Sequence, residues 1–147
     1  MKSTALMVVG TFLLLAAGCE PAAKSARGFR LPDGDIKKGK AAFTALKCHA
    51  CHTVDGVELP PPEKPARVTV ALGGEAVNVK TYGDLVTSII DPSHKLALAY
   101  KKESVSQDEK SLMADCNEAM TVRQMIDLVA FLQSRYKKLD FEAWRYQ

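Results

Sequence analysis

The strongest chemical signal in this chain is a run of five residues, Cys48-His49-Ala50-Cys51-His52, or CHACH in one-letter code. Two thiols stand three positions apart, and an imidazole follows the second thiol directly. A zinc site would need four ligands, but the sequence has no second C-x-x-C pair and offers only His94 and Cys116 as distant candidates. A thioredoxin-like dithiol would need a βαβ context, which the pattern of the chain lacks. A plain disulfide or a chance match to the pattern is the remaining alternative.

The C-x-x-C-H spacing is the attachment signature of c-type haem. Thiols at this spacing can reach the two vinyl groups on one edge of a porphyrin, and the residue after them then places its imidazole under the iron. The sequence therefore predicts one haem c, bound covalently through Cys48 and Cys51, with His52 as an iron ligand. His49 is interpreted as an exposed spacer residue within the motif.

The N-terminal residues have the pattern of an export signal. An apolar run from Ala5 to Ala17 follows a short basic start, and it is shorter than the roughly 20 residues of a membrane span. The sequence LLLAAGC, which ends at Cys19, resembles the lipobox of bacterial lipoproteins, although that family usually has Leu where this chain has Ala16. We predict a signal peptide over residues 1–18 and lipid attachment at Cys19. Ordinary cleavage, which would leave a soluble periplasmic protein, is the alternative.

One domain is predicted after the signal. The chain has 147 residues, of which 47% are apolar and 25% charged, and this suits a single globular domain. Residues 19–34, rich in Ala, Pro, Gly and basic side chains, are predicted as a flexible tether, and residues 35–147 as the domain. The formal net charge of +3 is too small to favour nucleic acid as a partner.

Apolar periodicity predicts three helices in this domain, from Asp35 to Leu46, from Thr81 to Ile90 and from Thr121 to about Leu139. Their inward faces are predicted to be Ile36, Gly39, Phe43 and Leu46, then Leu85, Ile89 and Ile90, then Val122, Met125, Ile126, Val129, Leu132 and Tyr136. Loose alternation around Gly73-Gly74 predicts a small β-hairpin over Val68–Val79. The segment from Ser93 to Asp115 is predicted to be mostly polar loop and turn, with a turn of helix from Ser106 to Ser111 as the alternative.

Over about residues 34–140 the chain resembles the class I monohaem cytochromes c. The similarity rests on GKAAFTALKCHACHTVDG, a proline-rich loop, a methionine-containing loop and MTVRQMIDLVAFLQSRY. The resemblance implies an all-α fold around one haem, in which the first helix crosses the last near Gly39, Phe43 and Phe131. It also implies a proline carbonyl that accepts a hydrogen bond from the imidazole of the haem ligand, and Pro61 is the residue chosen for this role.

The second iron ligand is sought among four later residues: Met113, Met120, Cys116 and His94. A capping box that begins at Thr121 predicts that Met120 packs as a hydrophobic staple at the start of the last helix. His94 is interpreted as a turn residue. Cys116 is interpreted as a small apolar filler, with a thiolate ligand as the minority alternative.

Met113 lies in the polar loop, eight residues before the last predicted helix. Class I cytochromes place the ligand methionine at about that distance, often as Met-Pro-x-Phe or Met-Pro-x-Tyr. Here the stretch is Met113-Ala114-Asp115-Cys116, so that Ala replaces the proline and Cys replaces the aromatic residue. The resemblance still implies that His52 and Met113 together hold the iron.

The resemblance implies a protein that carries single electrons and is not an enzyme acting on a small-molecule substrate. The expected partners are redox proteins and, through lipid at Cys19, the periplasmic side of a bacterial membrane. Two alternatives stay open. One is a haem c subunit of a larger oxidoreductase complex, for example in sulfur-compound oxidation or a terminal oxidase; the other is an open-site haem sensor or peroxidase. A redox partner would dock on a rim of lysines near the haem edge, here called the docking rim. The candidates for it are Lys47, Lys95, Lys101 and Lys102.

Overall fold

The computed structural model describes residues 29–139. The predicted signal peptide, the predicted lipid-attachment residue Cys19, most of the predicted tether and residues 140–147 lie outside the described residues. The elements below all belong to one compact unit, which begins at Leu31. No helix among the described residues is both long enough and apolar enough to cross a membrane.

Four α-helices and six short strands follow one another along the described part of the chain. The helices are α1 (Ile36–Ala45), α2 (Tyr82–Ile90), α3 (Lys102–Val105) and α4 (Val122–Gln133), and a 3₁₀ turn, Cys48–Ala50, follows α1. The strands are β1 (His52–Val54), β2 (Val70–Leu72), β3 (Gly74–Ala76), β4 (Ser106–Gln107), β5 (Lys110–Ser111) and β6 (Tyr136–Lys138).

Local capping signals fix where the three longer helices begin. Asp35 accepts hydrogen bonds from the backbone N–H groups of Lys37 and Lys38, at 2.8 and 3.0 Å, and so caps α1. Thr81 and Thr121 each exchange hydrogen bonds with the residue three positions later, which forms a capping box at the start of α2 and of α4. The predicted starts of all three helices are confirmed.

Helix α1 crosses helix α4 at Gly39, as predicted. A Cβ atom on Gly39 would overlap the carbonyl oxygen of Asp127 and lie 2.6 Å from Cβ of Phe131, so only glycine permits this approach. Phe43 packs edge to face on Phe131, with ring centroids 5.8 Å apart. The Asp127 carboxylate, although buried, accepts a hydrogen bond of 2.8 Å from the backbone N–H of Asp35, which joins the start of α1 to α4.

The apolar core lies among α1, α2, α4 and the adjoining strand β1. Its buried members are Phe43, Val54, Leu85, Val86, Ile89, Leu128, Val129, Phe131 and Leu132. Three residues predicted to face inward are exposed: Ile36 (45%), Ile90 (42%) and Val122 (70%). Each stands at the first or last position of its helix, where no neighbouring element covers it. In α2, the buried residues are Leu85, Val86 and Ile89, so that Val86 and not Ile90 belongs to the inward face.

The predicted hairpin over Val68–Val79 is wrong, because its two strands pair with other segments. Strand β2 runs parallel to β1, with His52 opposite Val70, whereas β3 runs parallel to β6, with Gly74 opposite Tyr136. Gly73 and Gly74 have φ angles of 86° and 81°, a left-handed conformation that redirects the chain between the two partners without folding it back.

Three further strands and a short helix depart from the all-α prediction. Helix α4 ends at Gln133 and not near Leu139, because the backbone of Tyr136–Lys138 pairs with β3. The segment predicted as polar loop contains α3 and an antiparallel pair, β4 and β5. Asp108 and Glu109 both have positive φ angles, 49° and 63°, as a tight two-residue hairpin turn requires.

Candidate functional site

His52 is held by the pairing of β1 with β2. Its Nδ1 donates a hydrogen bond of 3.3 Å to the carbonyl oxygen of Val70. Because that oxygen can only accept, the proton lies on Nδ1 and the lone pair of Nε2 is left for a ligand. Burial lowers the pKa of His52, and the bond to Val70 opposes the shift, so the neutral imidazole is favoured. The choice of Pro61 as the partner of this imidazole is wrong, since strand pairing brings Val70 there.

The two motif thiols lie on one tight turn but in different surroundings. Lys47 adopts a left-handed conformation, with φ of 57°, and the N–H of Cys51 donates to the carbonyl oxygen of Cys48 at 3.2 Å. Cys51 is exposed, whereas Cys48 is half-buried and packs against the apolar core. Burial, and secondarily electrostatic repulsion from Cys116, raise the pKa of Cys48 to about 11. Both thiols are free.

A cavity of about 250 Å³ opens beside His52. Cys51 and His52 line one part of its wall, and Leu112 and Met113 line another. The remaining lining residues are Arg67, Val68, Val70, Ser88, Pro92, Lys95, Leu96, Ala97, Val105 and Ser111. The wall is therefore mostly apolar, and its two charged side chains are both cationic.

Of the four candidates for the second iron ligand, Met113 lines this cavity and the other three do not. Met113 lines it, half-buried, and its backbone N–H donates to the Ser111 hydroxyl at 3.1 Å. Met120 does not line it and packs, like Met125, against the apolar core, as predicted for a helix staple. His94 is an exposed turn residue whose Nδ1 donates to the carbonyl oxygen of Asp91 at 2.7 Å.

Other residues of the motif and its surroundings differ from expectation. His49 is half-buried and not exposed, and its Nδ1 is buried without a hydrogen-bond partner among the described residues. Cys116 is half-buried against the core, as an apolar filler would be, and does not line the cavity. No local sequence pattern indicated Val70 or Arg67 at this site, because each reaches the cavity through strand pairing or loop packing between segments that are distant in the chain.

The alternatives of a zinc site and a structural disulfide find no support in the described residues. No group of three or more His, Cys, Asp or Glu side chains there could hold a metal ion. Cys48, Cys51 and Cys116 are all free thiols.

The donor set fits haem instead. A neutral imidazole and a thioether line the same apolar cavity, as His52 and Met113, and Cys51 places a thiol at its wall. Arg67 and Lys95 bring positive charge to a wall without an acidic side chain, which suits the carboxylates of a porphyrin.

Comparison with known proteins gives the family. The sequence model of the family described as Cytochrome c matches residues 36–135, a span that runs from α1 through the CHACH motif and the Met113 loop to just past α4. No curated protein and no solved structure matches the chain. Since the match covers more than half of the chain and the motif lies within it, the chain belongs to the cytochrome c family, whose members bind haem c covalently and transfer electrons.

Proposed function

We propose that this protein is a class I monohaem cytochrome c that carries single electrons with His52 and Met113 as the two axial ligands of the iron. Cys48 and Cys51 hold the haem covalently. The observation that carries the proposal is that His52 and Met113 line one cavity, from which Met120, as well as His94 and Cys116, is absent. Two protein ligands leave no open face for a substrate, so this arrangement favours electron transfer over catalysis.

The residues around the cavity have separate tasks in this function. When bound, the haem iron supplies the one-electron chemistry. Val70 fixes the imidazole plane of His52 and keeps its proton on Nδ1. This makes Nε2 a better electron-pair donor to the iron. Apolar side chains such as Leu96 and Val105 exclude water. The Met113 thioether favours the reduced state and so raises the reduction potential.

Ion pairs reduce the number of lysines that are candidates for the docking rim. Lys47 pairs with Glu63 at 3.4 Å and does not line the cavity, and Lys102 pairs with Glu109. Lys95 is exposed on the cavity wall. We therefore assign Lys95, together with the exposed Lys101 at the end of the same loop, to contact with an acidic patch on a redox partner.

Location is proposed from the N-terminal sequence. The lipobox-like pattern that ends at Cys19 supports export and attachment to lipid, and the domain would then work on the periplasmic side of a bacterial membrane. Mass measurement of the mature protein checks this directly, since lipidation adds the mass of acyl chains to a chain that begins at Cys19.

One observation favours the alternative of a subunit within an oxidoreductase complex. Leu98 is 89% exposed, and it directly follows Leu96 and Ala97 of the cavity wall. A large apolar side chain beside a redox site is suited to burial under a permanent partner. Purification of the lipid-anchored protein in mild detergent decides between the two forms: a second protein present at equal amount identifies a complex, whereas the haem protein alone identifies a carrier.

Carbon monoxide tests the electron-carrier function. The reduced wild-type protein should not bind carbon monoxide at once, because both axial positions are occupied by side chains. Met113→Ala should bind it promptly, and Met120→Ala should behave as the wild type. Prompt binding to the wild type would instead identify an open iron and a sensor or peroxidase.

A further inference from the structure

The carbonyl group that binds His52 belongs to a peptide unit that is hydrogen-bonded at both ends. His52 Nδ1 donates to the carbonyl oxygen of Val70 at 3.3 Å. The N–H of the same peptide unit is the backbone N–H of Ala71, and it donates to the hydroxyl oxygen of Tyr100 at 3.1 Å. The two bonds therefore form one chain, which runs from the imidazole through the Val70–Ala71 peptide unit to the tyrosine hydroxyl.

Strand β2 holds this peptide unit in the orientation that the chain of bonds needs. Parallel pairing directs Val70 towards β1, since the Val70 N–H donates to the carbonyl oxygen of Cys51 at 2.9 Å. The C=O and N–H groups of a trans peptide point in opposite directions, so the Ala71 N–H points away from β1. On that side β2 has no neighbouring strand among the described residues. The Tyr100 hydroxyl thus supplies the acceptor that a further strand would otherwise provide.

Tyr100 reaches β2 from a loop that forms part of the cavity wall. The residue is half-buried, and its N–H donates to the carbonyl oxygen of Ala97 at 3.2 Å. This bond closes a turn directly after the wall residues Leu96 and Ala97. Because Tyr100 and Ala71 are 29 positions apart in the chain, the bond between them ties the wall loop to the strand that holds His52.

We propose that Tyr100 is a positioning residue for His52, which acts through the Val70–Ala71 peptide unit and lowers the reduction potential of the haem. The inference deepens the proposed function and rests on the role of His52 as an iron ligand. Hydrogen bonds in a chain polarise one another, so a peptide unit whose N–H donates carries more negative charge on its carbonyl oxygen. The Tyr100 hydroxyl therefore makes the Val70 oxygen a stronger acceptor for the His52 proton. More electron density then remains on the imidazole, which favours ferric over ferrous iron.

Tyr100→Phe in the haem-bound protein tests the proposal, because it removes the hydroxyl and keeps the ring. At a fixed applied potential the ratio of reduced to oxidised protein should rise about two-fold, which is about 18 mV for a one-electron couple. In proton NMR spectra of the reduced protein, the His52 Nδ1–H resonance should move to lower frequency and the Ala71 amide should exchange faster with solvent. Tyr82→Phe is the matched control, since it removes a hydroxyl at the start of α2, away from β2 and the cavity wall, and should leave all three readings unchanged.

A purely structural role of Tyr100 would give a different result. Faster exchange of the Ala71 amide in Tyr100→Phe, with the His52 resonance and the potential as in the wild type, would overturn the proposal. Unchanged exchange of the Ala71 amide would overturn it too, because the hydrogen bond to Tyr100 would then be absent in solution. Failure of the proposed function shows separately, as prompt carbon monoxide binding by the wild type. The His52 resonances are then compared in the diamagnetic carbon monoxide form, where Tyr100→Phe should cause the same shift and an unchanged resonance would again overturn the proposal.

Discussion

Gly39 of α1 lies so close to Asp127 of α4 that a methyl group on Gly39 would overlap the Asp127 carbonyl oxygen. The contact is made between backbones, which cannot move aside as a flexible side chain can. It sets the distance between the two helices and thereby the position of the CHACH turn, which begins three residues after α1 ends.

Replacement of Gly39 by alanine should destabilise the protein. Alanine gains about 1 kcal/mol over glycine in a helix interior, but overpacking against backbone costs about 3 kcal/mol or more, so a net loss of about 2 kcal/mol is expected. Gly83→Ala is the matched control, because the nearest atom to its new Cβ is the Thr81 hydroxyl at 3.7 Å, an ordinary contact. Denaturant unfolding should show a loss for Gly39→Ala and a small gain for Gly83→Ala; equal stability of the two variants would refute the close crossing.

The capping box at α2 should make part of the stability depend on pH. Hydrogen bonds from the backbone N–H and then the hydroxyl of Thr81 hold the pKa of Asp84 below its usual range. As the pH falls, the Asp84 carboxylate is therefore protonated in the unfolded chain before it is protonated in the folded chain. The contribution of Asp84 to the free energy of unfolding is present above about pH 4 and is lost as the pH falls through the folded pKa. Asp84→Asn keeps an acceptor oxygen without a titrating group. Thermal unfolding between pH 6 and the acid limit should show a smaller decline for Asp84→Asn than for the wild type, and parallel curves would count against this assignment.

The two motif thiols should differ in reactivity in the reduced, haem-free chain. Cys51 is exposed, whereas Cys48 is half-buried and its pKa is raised to about 11. Because the thiolate is the reactive form, iodoacetamide should label Cys51 faster than Cys48 at neutral pH, and the difference should narrow as the pH approaches 11. Timed labelling with fragmentation of the peptide 48–67 measures both rates. Equal rates at neutral pH would contradict the burial of Cys48.

The helices could be predicted from the sequence because their signals are local. Asp35, Thr81 and Thr121 cap helices through bonds to residues two or three positions later, and the glycine at the α1–α4 crossing stands within a regular apolar face. The CHACH spacing is likewise contained within five residues, so the covalent haem site needed no tertiary information.

The errors share a cause, which is pairing between distant segments. The partner of His52 is Val70, eighteen positions away, and no pattern around Pro61 or Val70 indicates which carbonyl oxygen will lie beside the imidazole. The same holds for Gly74, whose strand pairs with Tyr136 and so ends α4 early. Such contacts depend on how the whole chain packs, and a local apolar alternation predicts only that a strand exists.

Near-infrared absorption of the oxidised protein tests whether Met113 shares the iron with His52, because a bond between methionine sulfur and ferric haem gives a characteristic charge-transfer band. We expect the band in the wild type and in Met120→Ala and its loss in Met113→Ala. Persistence of the band in Met113→Ala, or its loss in Met120→Ala alone, would show that Met113 is not the ligand.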